Sequence, residues 1–246
     1  MTFLDLLRSK KASGKKSFAI LVDPDDVNCD QVSELCKYAA ITGVDYFFVG
    51  GSLLLDSNFE EVIKQLKDES DLPVLIFPGN NLQVSDRADG ILLLSLLSGR
   101  NPEYLIGQHV VAAPRLKAAN IEIISTAYII IDGGNTTAVS YMSNTMPIPA
   151  DKTSIATCTA LAGEMLGMSC VYLETGSGAK THVPLETIKS VASQVNVPII
   201  VGGGIKKASD LAACYNAGAD LVVVGTSIEK NPSFLNEVAK VISQYK

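Results

Sequence analysis

Three glycine-rich segments in the last third of the chain are the strongest chemical signal in the sequence. They are Gly176-Ser177-Gly178, Gly202-Gly203-Gly204 and the pair Gly225-Thr226. Because glycine has no Cβ, successive backbone N–H groups can converge on an anion at such positions. The N-terminus of a following helix adds partial positive charge. One such cluster would be consistent with a tight turn, but its recurrence predicts a binding site for a phosphate ester.

Three carboxylates occupy similar positions in the sequence. Asp23 ends an apolar run, Glu174 stands two residues before the first glycine cluster, and Asp132 precedes two further glycines. Carboxylates at such positions serve in metal binding or in general acid–base catalysis. A turn cap before Pro24 is the alternative for Asp23, and Asp132 is equally consistent with a turn. The apolar surroundings of Glu174 make a purely structural role less favourable there.

Ser52 follows Gly50 and Gly51 at the end of the second apolar run, and it is a candidate partner of Asp23. One carboxylate and one hydroxyl, completed by water and substrate phosphates, form a common Mg²⁺ site. The alternative is that Ser52 caps a helix. The sequence leaves both interpretations open.

The elements that must position these residues alternate between strands and helices. Most of the strand-like segments are continuous apolar runs, which is typical of parallel strands covered on both faces. They lie at 18–24, 44–51, 72–79, 88–97, 121–134, 169–178, 197–204 and 219–227, and helical patterns lie at 30–41, 58–69, 184–194, 207–216 and 232–245. Eight such repeats predict an α/β fold of the (β/α)₈ TIM-barrel type, with residues 1–246 forming one domain.

Two segments depart from this pattern. Residues 80–87 are too few for a full helix, so we expect the third helix of the barrel to be missing or replaced. Residues 133–152 form a long polar segment after the fifth strand, which predicts a functional or interface element on the catalytic face. The apolar runs 53–55 and 91–94 are expected to be mostly core, with some side chains lining a channel for a long ligand.

Composition excludes several classes of function. The formal net charge of −6 and the pI of about 5.0 argue against a nucleic-acid partner. The first residues do not form a signal peptide, and no apolar run is long enough to span a membrane, so we expect a cytosolic protein. The lysine pairs at 10–11 and 15–16 are expected to be a solvated helix end. Five cysteines without a CxxC pair and only two histidines disfavour disulfides, zinc sites and a Ser-His-Asp triad.

Five motifs together resemble those of the geranylgeranylglyceryl phosphate synthase family, the PcrB-like prenyltransferases. They are LVDPDD at 21–26, VGGS at 49–52, VYLETGSGA at 171–179, VGGGI at 201–205 and VVGTS at 223–227. The third motif is highly specific, whereas GGGI occurs in many phosphate-binding barrels. The resemblance extends from about residue 18 to residue 232.

The resemblance implies a barrel with a replaced third helix and an Mg²⁺-dependent reaction. The hydroxyl of sn-glycerol 1-phosphate would displace diphosphate from an isoprenoid diphosphate, expected to be geranylgeranyl diphosphate, and form an ether. Asp23 and Ser52 would bind Mg²⁺, and Glu174 with Tyr172 would act in catalysis. The residues implied to bind glycerol phosphate are Tyr172, Leu173, Glu174, Thr175, Gly176, Ser177, Gly178, Gly203, Gly204, Gly225 and Thr226. The apolar interior or a side groove would accept the prenyl chain.

One departure from the family pattern is Thr175, where many relatives carry alanine. The long 133–152 segment resembles the larger subgroup of the family, whose members form homodimers or hexamers. Tyr141 in this segment is either an interface aromatic or packed on its own domain. Contact with a membrane would be at most peripheral.

Three other functions remain open at this point. A sugar-phosphate isomerase on the same scaffold would use aspartates at the ends of strands one and five, which fits Asp23 and Asp132. A non-catalytic phosphate-binding module would need the glycines but no acidic pair. A flavin-binding barrel is consistent with the glycines alone.

Overall fold

A computed structural model describes residues 1–54 and 58–246, without the side chain of Lys230. The strands form a closed parallel barrel in the order β1 to β8, and β8 pairs with β1. Their bounds are Ser17–Val22 (β1), Tyr46–Val49 (β2), Val74–Ile76 (β3), Gly90–Leu96 (β4), Glu122–Ile130 (β5), Cys170–Glu174 (β6), Ile199–Gly202 (β7) and Leu221–Val224 (β8). Each lies inside a segment predicted as a strand, or one residue beyond it, so the TIM-barrel prediction is confirmed.

Ten α-helices surround or follow the strands in the described part of the chain. Their bounds are Phe3–Ala12 (α1), Cys29–Thr42 (α2), Phe59–Glu69 (α3), Gln108–Ala119 (α4), Ala138–Met142 (α5), Thr153–Met165 (α6), Leu185–Ala192 (α7), Ala208–Ala217 (α8), Thr226–Lys230 (α9) and Phe234–Ile242 (α10). Asn28 caps α2 as predicted, because its side chain accepts from the Gln31 N–H at 3.0 Å. Ser57, the predicted cap of α3, lies outside the described residues.

The hydrophobic patterns do not predict α1, α4, α6 or the short helices α5 and α9, and α4 shows why. It follows a π-helical turn, Glu103–Gly107, and contains Pro114, which removes a backbone donor from the helix interior. The apolar residues of α4 also divide between two surroundings. Ala112 and Leu116 are buried, whereas Val110 and Val111 are exposed. A helix of this kind lacks the single apolar stripe that sequence patterns detect.

The connection between β3 and β4 contains no helix in the described structure, which confirms the predicted loss of the third helix. The buried side chain of Gln83 holds this connection against the end of β2. Its Oε1 accepts from the Gly79 N–H at 3.0 Å, and its Nε2 donates to the Gly51 carbonyl at 3.1 Å. Extended chain therefore covers the barrel at this point, and a groove remains between it and α4.

The barrel interior is filled with side chains and is closed at the N-terminal ends of the strands by α1. Phe3 of α1 packs edge-to-face on Tyr46, with ring centroids 4.8 Å apart. Lys15 is exposed, as expected, but the other three lysines of the two pairs are not simply solvated. Lys11 and Lys16 both pair with the buried carboxylate of Asp220, at 2.9 and 3.3 Å, and Lys10 pairs with Asp45 at 2.5 Å. The pairs of Lys10 and Lys11 hold α1 on this end of the barrel, so the opposite end is left for a ligand.

The segment after β5 lies on the C-terminal face of the barrel, as predicted. An isolated parallel bridge between Ile131 and Ile148 returns this segment to the barrel, and α5 lies within it. No helix among the described residues is long and apolar enough to cross a membrane.

Candidate active site

A cavity of about 550 Å³ lies at the C-terminal ends of the strands. Eleven of the thirteen residues predicted for the site line it: Asp23, Ser52, Tyr172, Glu174, Gly176, Ser177, Gly178, Gly203, Gly204, Gly225 and Thr226. Leu173 does not, because its side chain packs in the core between the strands and the helices. Thr175 is also buried outside the lining, and its hydroxyl has no hydrogen-bond partner in the described chain.

At the glycine segments the backbone lies closer to neighbouring atoms than it could if these residues had side chains. Gly203 has φ +80°, and a Cβ placed on it would lie 2.2 Å from Glu174 Oε1. Gly204 has φ +66°, and its Cβ would lie 2.2 Å from the Thr181 carbonyl oxygen. Both conformations and both distances exclude larger residues. The loop after β7 therefore passes directly against the loop after β6.

These loops offer polar donors to an anion. The backbone N–H groups of Ser177, Gly178, Gly203 and Gly204 donate to no acceptor within the described residues. The hydroxyls of Ser177 and Thr226 lie 2.8 Å apart and join the loops after β6 and β8. Three neighbouring strand ends thus form one cradle, which suits a phosphate group.

Glu174 ends β6 and is buried beside this cradle. Its Oε1 accepts from the Gly176 N–H at 2.6 Å. Burial raises the pKa of the carboxyl to about 7, and the Gly176 N–H opposes this shift. A carboxyl with a pKa near neutrality is suited to accept a proton from a hydroxyl.

Tyr172 lies two residues before Glu174 on the same face of β6. A Cβ on Gly202 would lie 2.5 Å from Tyr172 Oη and 2.6 Å from Glu174 Oε2, so the two polar groups meet over this glycine. Burial and the charge of Glu174 hold the pKa of Tyr172 well above 10. The hydroxyl therefore stays protonated, and it lies beside the Glu174 carboxyl. From this position it can orient a substrate oxygen.

Asp23 and Ser52 lie on the opposite side of the cavity, at the ends of β1 and β2. A Cβ on Gly51 would lie 2.5 Å from Asp23 Oδ2, so this glycine lets the carboxylate lie against the second loop. Burial raises the pKa of Asp23 to about 6, although the Asp25 N–H donates to Oδ1 at 3.1 Å. A carboxylate so desolvated gains from a nearby cation.

The donors around Asp23 fit Mg²⁺ that is bound together with a phosphate-bearing substrate. The described residues contain no cluster of three or more His, Cys, Asp or Glu side chains of the kind that holds a metal without substrate. Mg²⁺ commonly takes one or two carboxylates and completes its shell with water and substrate phosphates. Asp23 and Ser52 match this requirement.

Two residues considered from the sequence lie outside the cavity. Asp132 is exposed, and its Oδ1 accepts from the Gly134 N–H at 2.8 Å, which closes a turn. Tyr141 on α5 is 79% exposed, so it is not packed on its own domain. Its role at an interface stays a prediction.

A second, apolar groove adjoins the cavity. It runs between the β3–β4 connection and α4, and its wall includes Val84, Ile91, Leu94, Ala112 and Leu116. It shares Gly51, Ser52, Phe77, Tyr128 and Val139 with the polar cavity. The expectation that part of 91–94 lines a channel fits this groove, whereas Leu55 lies outside the described residues. The candidate site thus has a polar part and an adjoining apolar part.

Several residues that line the site were not predicted from the sequence. Phe77 and Tyr128 lie where the two parts of the site meet, and Lys206 brings the positive charge that an anion needs. The Lys206 Nζ donates to the Lys180 carbonyl at 2.9 Å, which places the ammonium beside the loop after β6. Its position two residues after the second glycine cluster, Gly202-Gly203-Gly204, was the available signal. Tyr128 gave a weaker one, because it lies in a run that looks like core.

Comparison with known proteins finds relatives that match nearly the whole chain. Residues 11–242 match the sequence profile of the PcrB family. The geranylgeranylglyceryl phosphate synthase of Chitinophaga pinensis is 52% identical over 233 residues, which cover 95% of this chain and 92% of the relative. The enzyme of the same name from Spirosoma linguale is 50% identical over 242 residues, covering 98% and 97%.

One solved structure is similar to this chain in fold over its whole length. It is (S)-3-O-geranylgeranylglyceryl phosphate synthase from Thermoplasma acidophilum in complex with sn-glycerol-1-phosphate. Its TM-score to this chain is 0.93 at 35% sequence identity, and the match covers 100% of this chain and 99% of the other.

Proposed function

The chain belongs to the PcrB family, and from this premise we propose that it joins sn-glycerol 1-phosphate to an isoprenoid diphosphate through an ether bond. Diphosphate is the second product, and Mg²⁺ is the required cofactor. Geranylgeranyl diphosphate is the proposed donor, in line with the names of the relatives.

The observation that carries the proposal is that the polar cavity and the apolar groove adjoin and share five lining residues. A prenyl diphosphate has a highly charged head and a long apolar tail, and a site for it must have both characters. The polar cavity contains Asp23 and Ser52, and the apolar groove begins at the same Gly51-Ser52 segment. The glycine cradle and Glu174 lie across the polar cavity. A second, smaller phosphate ester thus has its own place opposite the head of the donor.

The residues of the chain then divide the reaction between them. Backbone N–H groups of the glycine segments bind the phosphate of the glycerol substrate. Glu174 accepts the proton of the attacking hydroxyl, and Tyr172 orients that hydroxyl. The groove binds the prenyl chain and excludes water from the reacting carbon.

Asp23 and Ser52 would hold Mg²⁺ at the head of the donor. When bound there, the metal supplies positive charge that neutralises the departing diphosphate. The ester phosphate is bound by backbone amides and so does not compete for this metal.

The rival functions have less support. An isomerase that uses Asp23 with Asp132 would need both carboxylates in one site, but Asp132 is exposed and engaged in a turn outside the cavity. A non-catalytic phosphate-binding module would have no use for a buried carboxyl with a raised pKa, nor for the apolar groove. Neither rival accounts for the groove.

A transfer assay tests the function. The protein is incubated with labelled sn-glycerol 1-phosphate, geranylgeranyl diphosphate and Mg²⁺, and the mixture is extracted into butanol. The proposal predicts label in the organic phase, and EDTA abolishes it. Absence of transfer with every prenyl diphosphate, despite measurable binding of glycerol phosphate, would leave the isomerase or the binding module.

We also propose that the protein works in the cytosol as a homo-oligomer, either a dimer or a hexamer. The exposed aromatic ring of Tyr141 and the exposed Met146 on the 133–152 segment support an interface there. Light scattering of the wild-type protein and of Tyr141→Ala gives the particle mass. A monomeric wild-type protein would contradict the proposal.

A further inference from the structure

Three aromatic rings meet where the polar cavity joins the apolar groove. Phe77 follows β3, Tyr128 lies on β5 and Tyr172 lies on β6. The ring centroid of Phe77 lies 5.8 Å from that of Tyr128 and 5.3 Å from that of Tyr172. The two tyrosine rings are 5.6 Å apart with an interplanar angle of 81°. We call these three residues the aromatic junction.

The register of the barrel fixes this arrangement. Tyr128 and Tyr172 are direct partners in the β5–β6 pairing, so their side chains point to the same face of the sheet. Both are almost fully buried in the barrel interior, and their contact with Phe77 restrains that ring. Phe77 keeps part of its surface uncovered, and it lines both cavities. The uncovered ring surface therefore faces the site.

The junction is also where the reacting carbon must pass. The head of the donor would lie at Asp23 and Ser52, and its tail would lie in the groove beyond Phe77 and Tyr128. The attacking hydroxyl would come from the side of Glu174. The allylic carbon between the head, the tail and the hydroxyl would therefore lie beside Phe77 and Tyr128, whose rings line both cavities.

On the basis of the proposed function, we infer that Phe77 and Tyr128 are catalytic residues whose rings stabilise positive charge on the allylic group. As the bond from the allylic carbon to the diphosphate oxygen breaks, its electron pair leaves with the diphosphate. The glycerol oxygen then forms the new bond to that carbon, and its proton passes to Glu174. Between these events the allylic group carries positive charge, which the face of an aromatic ring attracts, most strongly in a dry site.

A pair of donor analogues isolates this effect from activity. In the first, an ammonium nitrogen replaces the branched carbon of the allylic unit of geranylgeranyl diphosphate. In the second, the same position is a saturated carbon, so the two differ in charge but hardly in shape. Calorimetry with Mg²⁺ gives the affinity ratio of the two analogues for each variant. We expect the wild-type ratio to favour the ammonium, and Phe77→Leu to lower it about tenfold.

Further variants distinguish an effect of the aromatic ring from an effect of altered packing. Tyr128→Leu should lower the ratio, and Tyr128→Phe, which keeps the ring, should preserve more of it. Val84→Ala is the control, because Val84 lines only the groove and should weaken both analogues equally. Thermal unfolding of each variant confirms folding, and Tyr128→Leu replaces Phe77→Leu if the latter does not fold.

A wild-type protein without preference for the ammonium would overturn the inference, and so would a ratio that neither Phe77→Leu nor Tyr128→Leu changes. In both cases the transfer assay of the wild-type protein still decides the proposed function. If that assay fails, the function and the inference fall together.

Discussion

The Glu174 Oε1 atom accepts a hydrogen bond from the backbone N–H of Gly176 over 2.6 Å. This bond joins the candidate base to the first glycine of the loop that we propose binds the phosphate. A phosphate that orders the loop therefore also orients the carboxylate. Substrate binding and acceptance of the proton are coupled through one backbone group.

Replacing the base should separate turnover from binding. Glu174→Gln keeps the shape of the side chain but cannot accept the proton, so we expect turnover to fall about a hundred- to ten-thousandfold. Glycerol phosphate should still bind, because its phosphate is held by backbone N–H groups. Rates of product formation and calorimetry measure the two effects. A fully active variant would show that Glu174 does not act as the base.

The rate should depend on pH through the same carboxyl. Burial raises the pKa of Glu174 to about 7, and only the deprotonated form accepts a proton. We therefore expect kcat/KM to rise with pH through about 7 and then to level off. The Glu174→Gln profile should lack this rise, and its persistence there would assign the titration to another group.

A methyl group on Gly203 should disrupt the phosphate site. In Gly203→Ala, the new Cβ would lie 2.2 Å from Glu174 Oε1 at a φ of +80°. We expect the affinity for glycerol phosphate to fall more than about tenfold, because the loss of a single hydrogen bond to a charged group already costs roughly 1.5–3 kcal/mol.

Gly14→Ala is the matched control for that variant. Gly14 has φ +72°, but no atom lies within 4 Å of its Cβ position. The control therefore carries the same backbone strain, roughly 1–2 kcal/mol of stability, far from the site. It should leave the affinity unchanged. Equal losses in the two variants would mean that backbone strain, and not the close approach at Gly203, causes the effect.

Removing the charge of Asp23 should make binding of the donor's diphosphate group less dependent on Mg²⁺. Calorimetry with inorganic diphosphate should show that Mg²⁺ strengthens binding to the wild-type protein and does so much less in Asp23→Asn. The control is Asp132→Asn, because Asp132 is exposed and lies outside the cavity. Equal Mg²⁺ dependence in Asp23→Asn and the wild-type protein would place the metal elsewhere.

The sequence predicts the barrel well because its strands are buried on both faces. Segments such as 197–204 are continuous apolar runs that end in glycine, a pattern that few other elements produce. The glycine cradle is equally predictable from the sequence, because Gly203 and Gly204 adopt conformations that only glycine adopts easily. The local sequence carries both features.

Features that arise from closure of the barrel were not predictable in the same way. Phe77, Tyr128 and Tyr172 come from three different strand ends, and only the strand register brings their rings together. Nothing in the sequence near Phe77 distinguishes it from core. The groove beside α4 was similarly hidden, because it depends on the missing third helix and on a helix interrupted by Pro114.

The most direct test follows the glycerol oxygen through the reaction. Glycerol phosphate with a heavy oxygen isotope in its terminal hydroxyl is incubated with geranylgeranyl diphosphate, Mg²⁺ and the protein, and both products are analysed by mass spectrometry. Attack of that hydroxyl on the allylic carbon predicts that the prenylated product retains the heavy oxygen and that the released diphosphate has none. Heavy oxygen in a phosphate product, or no prenylated product at all, would contradict the account.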